Sequence, residues 1–409
     1  MLNSYQIPVY LKENRQYGDK SAGNKTISGT ESLSSVAKAV TSVGANYIGV
    51  ASGEENSFAI GDQILLIQMR GGSADQTTNP NYEWKEVYSI DAVNHRVYFT
   101  ENIQYSYTVS SSGKPQIVKV PMYDTITIPS GQTIQPTAWN GEKYGIEVIL
   151  CDVFDGQSGG IINLNGLGFR KGNGTATRSL TGEQGEGTTN AGGTRTTVAN
   201  GDGAGGGQNG TAGNPWASSG GGGGLLSEGD DAYNNYPGGE NIRATPGSGG
   251  DIRGKSDFTI IVLGGAGAAG GTHGDSGGGS PASGSGGNSS AILIIFARVL
   301  TNRCTVSQNG NNGQNIQGSP SAPVDGAGGG GAGGMGLFAG NVIDIGTNLI
   351  TAIAGTGGIT GASSGGDGAE GALRAEYGTS FTGSTNNPVA DTELNPELVP
   401  GDGNFLALF

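Results

Sequence analysis

Eight consecutive residues, Gly249-Gly250-Asp251-Ile252-Arg253-Gly254-Lys255-Ser256, satisfy the phosphate-binding pattern G-x-x-x-x-G-K-S in full. Such a loop works only between a strand and a helix, because a helix N-terminus supplies the N–H groups that meet the phosphates. Pro246-Gly247-Ser248 stands where the strand belongs, and a strand-like run, Phe258 to Leu263, stands where the helix belongs. The context therefore speaks against nucleotide binding. Gly274-Asp275-Ser276-Gly277-Gly278 carries the letters around a chymotrypsin-type nucleophile. A triad also needs a histidine and a buried aspartate. The chain has two histidines: His95, beside a turn signal, and His273, three residues before Ser276 in a glycine tract. Gly201-Asp202-Gly203-Ala204-Gly205 and Gly365-Gly366-Asp367-Gly368-Ala369 look like pieces of a calcium β-roll, yet no nine-residue tandem lets successive turns share an ion. Glu183, Glu186, Asp230, Asp231 and Glu240 are the candidates for a glycosidase pair, which needs two carboxyl groups roughly 5–9.5 Å apart across a groove. Their polar, loop-like surroundings read as solvated charge. Glycine-rich sequence makes chance matches to all four patterns easy, so we expect no cofactor, no metal and no catalysis.

Binding chemistry is better represented. Asn214-Pro215-Trp216-Ala217-Ser218-Ser219 precedes a five-glycine run, and Asp230-Asp231-Ala232-Tyr233-Asn234-Asn235-Tyr236-Pro237 follows it. Trp and Tyr offer flat apolar faces with a polar handle, and Asn offers amide donors and acceptors together. Trp216, Tyr233, Asn234, Asn235 and Tyr236 are accordingly the candidate contact residues, with packing beneath its own loop the alternative for Trp216. We expect the insertions Asn214 to Ser219 and Ser227 to Asn241 to lie at one exposed end, because burying Asp230 beside Asp231 costs heavily without partners.

The elements that must hold these residues are unusual in composition. Glycine accounts for 81 of 409 residues, whereas only 14% are charged. Runs such as Gly220 to Gly224 break the strict period of three that collagen requires. The net charge of −14 argues against a nucleic-acid partner and favours solubility. No apolar stretch approaches the ~20 residues of a membrane span, so no membrane insertion is expected. The first 17 residues lack an apolar core segment, so we expect folding in the cytoplasm of the producing cell. Two cysteines, Cys151 and Cys304, supply neither a disulfide scaffold nor a zinc module.

Residues 1–150 hold 13 of the glycines and residues 151–409 hold 68, which marks a boundary near Lys143-Gly145. Before it, Phe58 to Met69 reads as a buried strand, Glu86 to Ile90 and Arg96 to Phe99 as a hairpin, and Gln116 to Val120 and Thr125 to Ile128 as further strands. Ser32 to Val43 reads as a helix, with Leu33, Val36 and Val40 on one side. The expected domain, residues 1–145, is a β-sandwich or barrel of roughly six to eight short strands. Both Trp84 and Trp139 are assigned to its packing.

Residues 146–380 contain a repeat: a glycine-rich run, an apolar strand, a turn, a second strand, another glycine-rich run. Copies start near Val148, Phe296 and Phe338, with a partial fourth at Phe258 to Gly265. Units that cannot bury an apolar face alone must stack. Glycine without a Cβ lets backbones approach closely, so the runs can pack as extended left-handed helices of three residues per turn or as a glycine-rich β-solenoid. Flexible linkers are the alternative. The fold class expected is all-β, with residues 381–409 as a C-terminal tail.

Alternating glycine-rich runs and polar segments over residues 151–380 resemble the receptor-binding tip adhesins of T-even-type phage long tail fibres. The resemblance implies packed polyglycine II helices whose distal loops touch a bacterial surface glycan or outer-membrane protein, in a virion protein assembled in the host cytoplasm. It also implies that the N-terminal domain joins other tail proteins. Segments such as Gly166-Leu167-Gly168-Phe169-Arg170-Lys171-Gly172 and Ala138-Trp139-Asn140-Gly141 resemble bacterial glycine-rich surface proteins instead, which implies an extracellular location. A structural subunit without a receptor and a polysaccharide-degrading tail protein are the other functional classes.

Overall fold

The computed structural model describes residues 19–71, 80–199, 202–209, 217–234, 244–274, 282–316, 325–361, 363–385 and 388–398. Among them the fold is all-β, with two short 3-10 turns, no α-helix, and no helix long and apolar enough to cross a membrane. In chain order the strands begin with β1 (Lys25–Thr26) and β2 (Thr30–Glu31), then β3 (Ala37–Ala39), β4 (Ser42–Val43), β5 (Tyr47–Gly49), β6 (Gln63–Arg70), β7 (Tyr82–Asp91), β8 (Arg96–Phe99) and β9 (Lys114–Lys119). After these come β10 (Met122–Ile128), β11 (Thr133–Ile134), β12 (Ile146–Gly156), β13 (Ile161–Asn163) and β14 (Tyr233–Asn234). The last are β15 (Ile292–Asn302), β16 (Thr305–Ser307), β17 (Met335–Thr347), β18 (Ile350–Thr351), β19 (Ser363–Ser364), β20 (Ala372–Ser384) and β21 (Asp391–Leu394).

Strands β3 to β9 form an antiparallel sheet of order β3-β9-β6-β7-β8-β5-β4. Its two edges are halves of one bent segment. Val40 N–H donates to the Pro115 carbonyl (3.0 Å) and Thr41 N–H to the Gly49 carbonyl (2.8 Å). The sheet therefore closes into a small barrel, which leaves no open edge. Alternation sorts its residues: Ile64, Leu66, Val97, Phe99 and Ile117 fill the barrel, while Leu65, Ile67, Met69 and Val118 face outward to the next layer. The expected hairpin is present, with Ile90 opposite Val97.

The helix expected at Ser32 to Val43 is absent. Of the expected face, Val36 and Val40 pack in the barrel cluster while Leu33 packs in another, and the intervening Ala37 belongs to a third. Glu147 accepts the N–H groups of Leu33 (2.8 Å) and Ser34 (3.0 Å), and Ala37 to Ala39 pair with β9. Tertiary pairing overrides a helical spacing that spans only 12 residues.

A second layer is wholly parallel. One sheet has the order β1-β10-β12-β15-β17-β20-β21, and beside it lies β18-β16-β13-β11-β2. Successive strands form stacked arches: β1 with β2, β10 with β11, β12 with β13, β15 with β16, β17 with β18. Equivalent residues lie in register, as in the ladder Ile134, Ile162, Val306, Ile350. Strand β12 turns Ile146, Val148 and Leu150 toward the barrel and Ile149 and Cys151 toward the second sheet. Burial on both faces explains the near-continuous apolar run Ala291 to Leu300. The three repeat copies at Val148, Phe296 and Phe338 are arches. The partial copy at Phe258 is not a strand, because Asn81 from the barrel takes both the N–H (3.0 Å) and the carbonyl (2.6 Å) of Ile261. Strands β10 and β12 are neighbours, so this sheet runs across residues 143–145. Trp84 and Trp139 are buried, edge-on to Phe296 (5.7 Å) and Phe169 (5.8 Å).

Strands of the parallel layer lead into glycine segments whose hydrogen bonds step by three residues. In the run Gly220 to Gly224, Gly220 and Gly223 donate to the carbonyls of Ala327 and Gly330, Gly221 and Gly224 to those of Gly205 and Asp202, and Gly222 to that of Asp230. Its carbonyls accept from Gly366 and Ala369, from Ala268 and Gly265, and from Gly250. Six separate segments thus surround this one, at N···O distances of 2.7–3.1 Å. Segments 265–271 and 326–334 are likewise bonded to six neighbours. A Cβ built on Gly222 overlaps the Asp367 carbonyl oxygen, so no larger residue fits there without moving backbone.

Candidate functional site

The glycine segments run between the arches and an opposite end. Gln208, Ser218, Thr245, Gly271, Gly284 and Gly326 meet there and are bonded to one another. Ser218 N–H donates to the Gln208 carbonyl (2.9 Å), Gly271 to Ser218 (2.9 Å), Gly326 to Gly271 (2.9 Å), Gly284 to Gly326 (2.9 Å) and Gln208 to Thr245 (3.1 Å). The Ser219 and Ser363 hydroxyls are 2.8 Å apart, and β14 pairs antiparallel with β19.

Of the expected contact residues, Tyr233 is 62% exposed on β14 at this end, and Asn234 follows it on the same strand. Trp216, Asn235 and Tyr236 lie outside the described residues, as does Glu240. The insertions are only partly placed as expected. Ser218 and Ser219 are buried, because they form the first turn of the central glycine segment and bond to three neighbours. Ser227 and Glu228 turn back at the arch end, where Leu225 N–H meets the Ser227 carbonyl (2.9 Å). Asp230 and Asp231 are exposed, and Asp231 accepts the Gly249 N–H (2.8 Å).

A buried cluster that sequence reasoning missed sits at the same end. His273 Nδ1 lies 2.7 Å from Asp325 Oδ1, and the His273 N–H donates to the same oxygen (2.7 Å). Ala282 N–H donates to Asp325 Oδ2 (2.5 Å). Arg178 Nη1 approaches His273 Nε2 at 2.8 Å. Arginine can only donate, so in this arrangement Nε2 accepts from Arg178 and Nδ1–H donates to Asp325. A serine base would need that Nε2 free to accept from a hydroxyl, and Arg178 occupies it. Ser276 lies outside the described residues. In the sequence His273 stood out only as a candidate triad histidine three residues before Ser276, and Asp325 carried no signal.

The remaining motifs resolve in structural terms. No helix follows Gly249 to Ser256; instead Lys255 N–H bonds the Ile260 carbonyl (3.2 Å). Asp202 is fully buried, with Oδ1 accepting from Thr188 N–H (2.6 Å) and Oγ1 (2.7 Å), and burial lifts its carboxyl to about 7 against those bonds. Asp367 accepts the Gly357 N–H (2.6 Å). Among the described residues no group of three or more His, Cys, Asp or Glu could hold a metal. Glu183 pairs with Arg195 (2.8 Å), and Glu186 is buried against Arg170 (2.9 Å) and Arg70. A cleft beside the barrel carries Glu54, Lys114, Glu142 and Lys143, whose charges pair as Lys143–Glu54 (2.9 Å) and Lys114–Glu142 (3.5 Å). Cys151 and Cys304 are buried, and burial pushes the Cys304 thiol up to about 12, which leaves it unreactive at neutral pH.

No family model matches the sequence. No curated protein matches it either. Among solved structures, the tailspike protein gp49 from Pseudomonas phage LKA1 aligns at 10% identity over 91% of this chain and 69% of that one, with a TM-score of 0.18, a superposition too poor to support structural inference.

Proposed function

We propose that this chain is a phage tail protein that attaches to the host cell: a tail-fibre or tail-tip adhesin in which packed polyglycine II helices present loops to a bacterial surface glycan or outer-membrane protein. The six-neighbour packing of the glycine segments, with the exposed Tyr233 at one end of the bundle, carries this reading. A scaffold held together by backbone bonds among its own segments tolerates changes in the loops it carries. The period-three hydrogen bonds and six neighbours of segments 220–224, 265–271 and 326–334 support the polyglycine II description. Tyr233 is an exposed aromatic at the same end, of the kind that anchors interfaces. In this reading the barrel is the part that joins other tail proteins, and the chain acts by binding, not by catalysis.

The test is adsorption of the purified chain to a panel of bacterial cells, beside a variant with residues 235–243 replaced by a Gly-Ser linker. Binding by the wild type and its loss in a folded variant are expected. Failure of the wild type to bind any cell would assign the chain to the purely structural subunits. Release of sugar fragments from surface polysaccharide would assign it to the enzymes.

A further inference from the structure

The flank of the glycine bundle is closed by side chains placed at the same interval as the backbone bonds inside it. Segment 353–359 lies at this flank: its backbone partners are 309–316, 328–331 and 365–371, three segments where the central ones have six. The N–H groups of Gly355 and Gly358 point inward, to Gly331 and Gly328. The other N–H groups meet side-chain oxygens. Ile353, Thr356 and Ile359 donate to Oδ1 of Asn309 (2.8 Å), Asn312 (2.9 Å) and Asn315 (2.8 Å). Ala354 and Gly357 donate to Glu370 (3.3 Å) and Asp367 (2.6 Å) on the opposite neighbour.

The pattern is geometric. In a helix of three residues per turn, every third N–H points the same way. A parallel neighbour that places an acceptor at every third residue meets one whole row, and Asn309, Asn312 and Asn315 do so. An antiparallel neighbour meets another row in reverse order, as Asp367 and Glu370 do. Elsewhere at the periphery Asn288 accepts from Lys171 (3.0 Å), Ser285 from Gly174 (3.0 Å) and Gln314 from Ser285 (3.2 Å). In the interior the same positions are filled by carbonyls of further glycine segments.

We infer that Asn309, Asn312, Asn315, Asp367 and Glu370 are seals. They occupy the donors to which another glycine-rich segment would add, and the partner they exclude is a second copy of this chain. An unsealed flank offers a row of free N–H groups at a repeat of about 9 Å, the counterpart of an open edge strand. Glycine segments of a second copy carry carbonyls at the same repeat, so the fit is self-complementary and would propagate.

The test compares the assembly size of the full chain by light scattering, over a hundredfold range of concentration, for wild type, N309A/N312A/N315A and N309D/N312D/N315D. The alanine variant loses the acceptors and should associate beyond the wild-type size as concentration rises. The aspartate variant keeps an oxygen at each position and should match the wild type. An alanine variant that folds and keeps the wild-type size at every concentration overturns the sealing role. Should the triple variant fail to fold, Asn312→Ala alone is read by amide exchange: the Thr356 N–H should exchange about tenfold faster, and unchanged protection refutes its contact with Asn312.

Discussion

Arg70 on barrel strand β6 and Glu186 in the glycine-rich part form an ion pair in which both side chains are buried, 3% and 0% exposed. They are 116 residues apart, and the pair joins the barrel to the bundle. Arg70 Nε also donates to the Ser112 carbonyl (3.0 Å), and Arg170 closes on Glu186 from the solvent side (2.9 Å).

Glu186→Ala should therefore be among the most damaging single changes in the chain. It leaves the Arg70 guanidinium buried without a counter-charge, a lesion of about 3–5 kcal/mol. Urea unfolding of the variant checks this. Arg70→Met combined with Glu186→Leu should recover part of the loss, because an apolar pair of similar volume carries no desolvation cost. A loss below about 1 kcal/mol for Glu186→Ala would show that water or Arg170 compensates the charge.

Much of this architecture was legible in the sequence, and the gaps have physical causes. The apolar runs at Val148, Phe296 and Phe338 announced their arches, because parallel strands buried on both faces keep no polar alternation. The arch β1/β2 was hidden, since its strands are two residues each; Thr125 to Ile128 was read as a strand but not as part of the parallel layer, because no glycine run flanks it. Phe258 to Leu263 imitated a strand, since burial against Asn81 and the barrel asks for the same apolar residues as sheet pairing does. Ser218 and Ser219 read as exposed loop from their polarity, although small hydroxyl residues fit the glycine bundle as readily as its surface. The exposure of Tyr233 agrees with its reading as part of a polar insertion. The His273–Asp325 contact was not legible, because it depends on which segments the bundle brings side by side over 52 residues.

Gly222→Val should destabilise the bundle by about 3 kcal/mol or more, since a Cβ meets the Asp367 carbonyl and only a backbone shift relieves it. Gly193→Asn is the matched control. Gly193 has φ +74 and nothing near its Cβ position, and Asn tolerates that conformation, so the change should cost under about 1 kcal/mol. Thermal unfolding of the two variants compares them directly. Equal melting temperatures would mean that the central segment is not packed on all sides.

Stability should fall as pH rises from about 4 to about 7 through two buried carboxyls. Burial raises Glu147 to about 7 in spite of bonds from Ser32, Leu33 and Ser34, and raises Asp202 to about 7 in spite of Thr188. Each group binds its proton more tightly when folded, so its contribution is fully present below the unfolded value and is lost as pH passes the folded one. Asp152 acts oppositely. The Arg298 guanidinium holds its carboxyl below the usual range, and its contribution disappears only in stronger acid, below about pH 4. Urea midpoints measured between pH 4 and 8 should slope downward for the wild type and less steeply for Glu147→Gln and Asp202→Asn. Identical slopes for all three proteins would assign the pH dependence to other groups.

Asp325→Ala should loosen the loop-bearing end without unfolding the barrel. Asp325 accepts two main-chain N–H groups, those of His273 and Ala282, and the His273 ring, all of them at that end of the bundle. Its removal leaves these donors buried with no acceptor, at about 1–3 kcal/mol for each orphaned group. Arg178 then holds His273 from one side only. The loss is local because His273 and Ala282 bond to the bundle's rim, whereas the barrel has its own core around Ile64, Leu66 and Phe99. Limited proteolysis should cut the variant between residues 271 and 284 several times faster than the wild type, with cleavage in residues 37–119 unchanged. Acceleration at both places would mean that the two parts unfold as one unit; acceleration at neither would mean that the cluster does not hold the loops. If the first pattern appears and the proposed attachment function holds, the same variant should also bind host cells more weakly, because a loosened end costs more to order on binding.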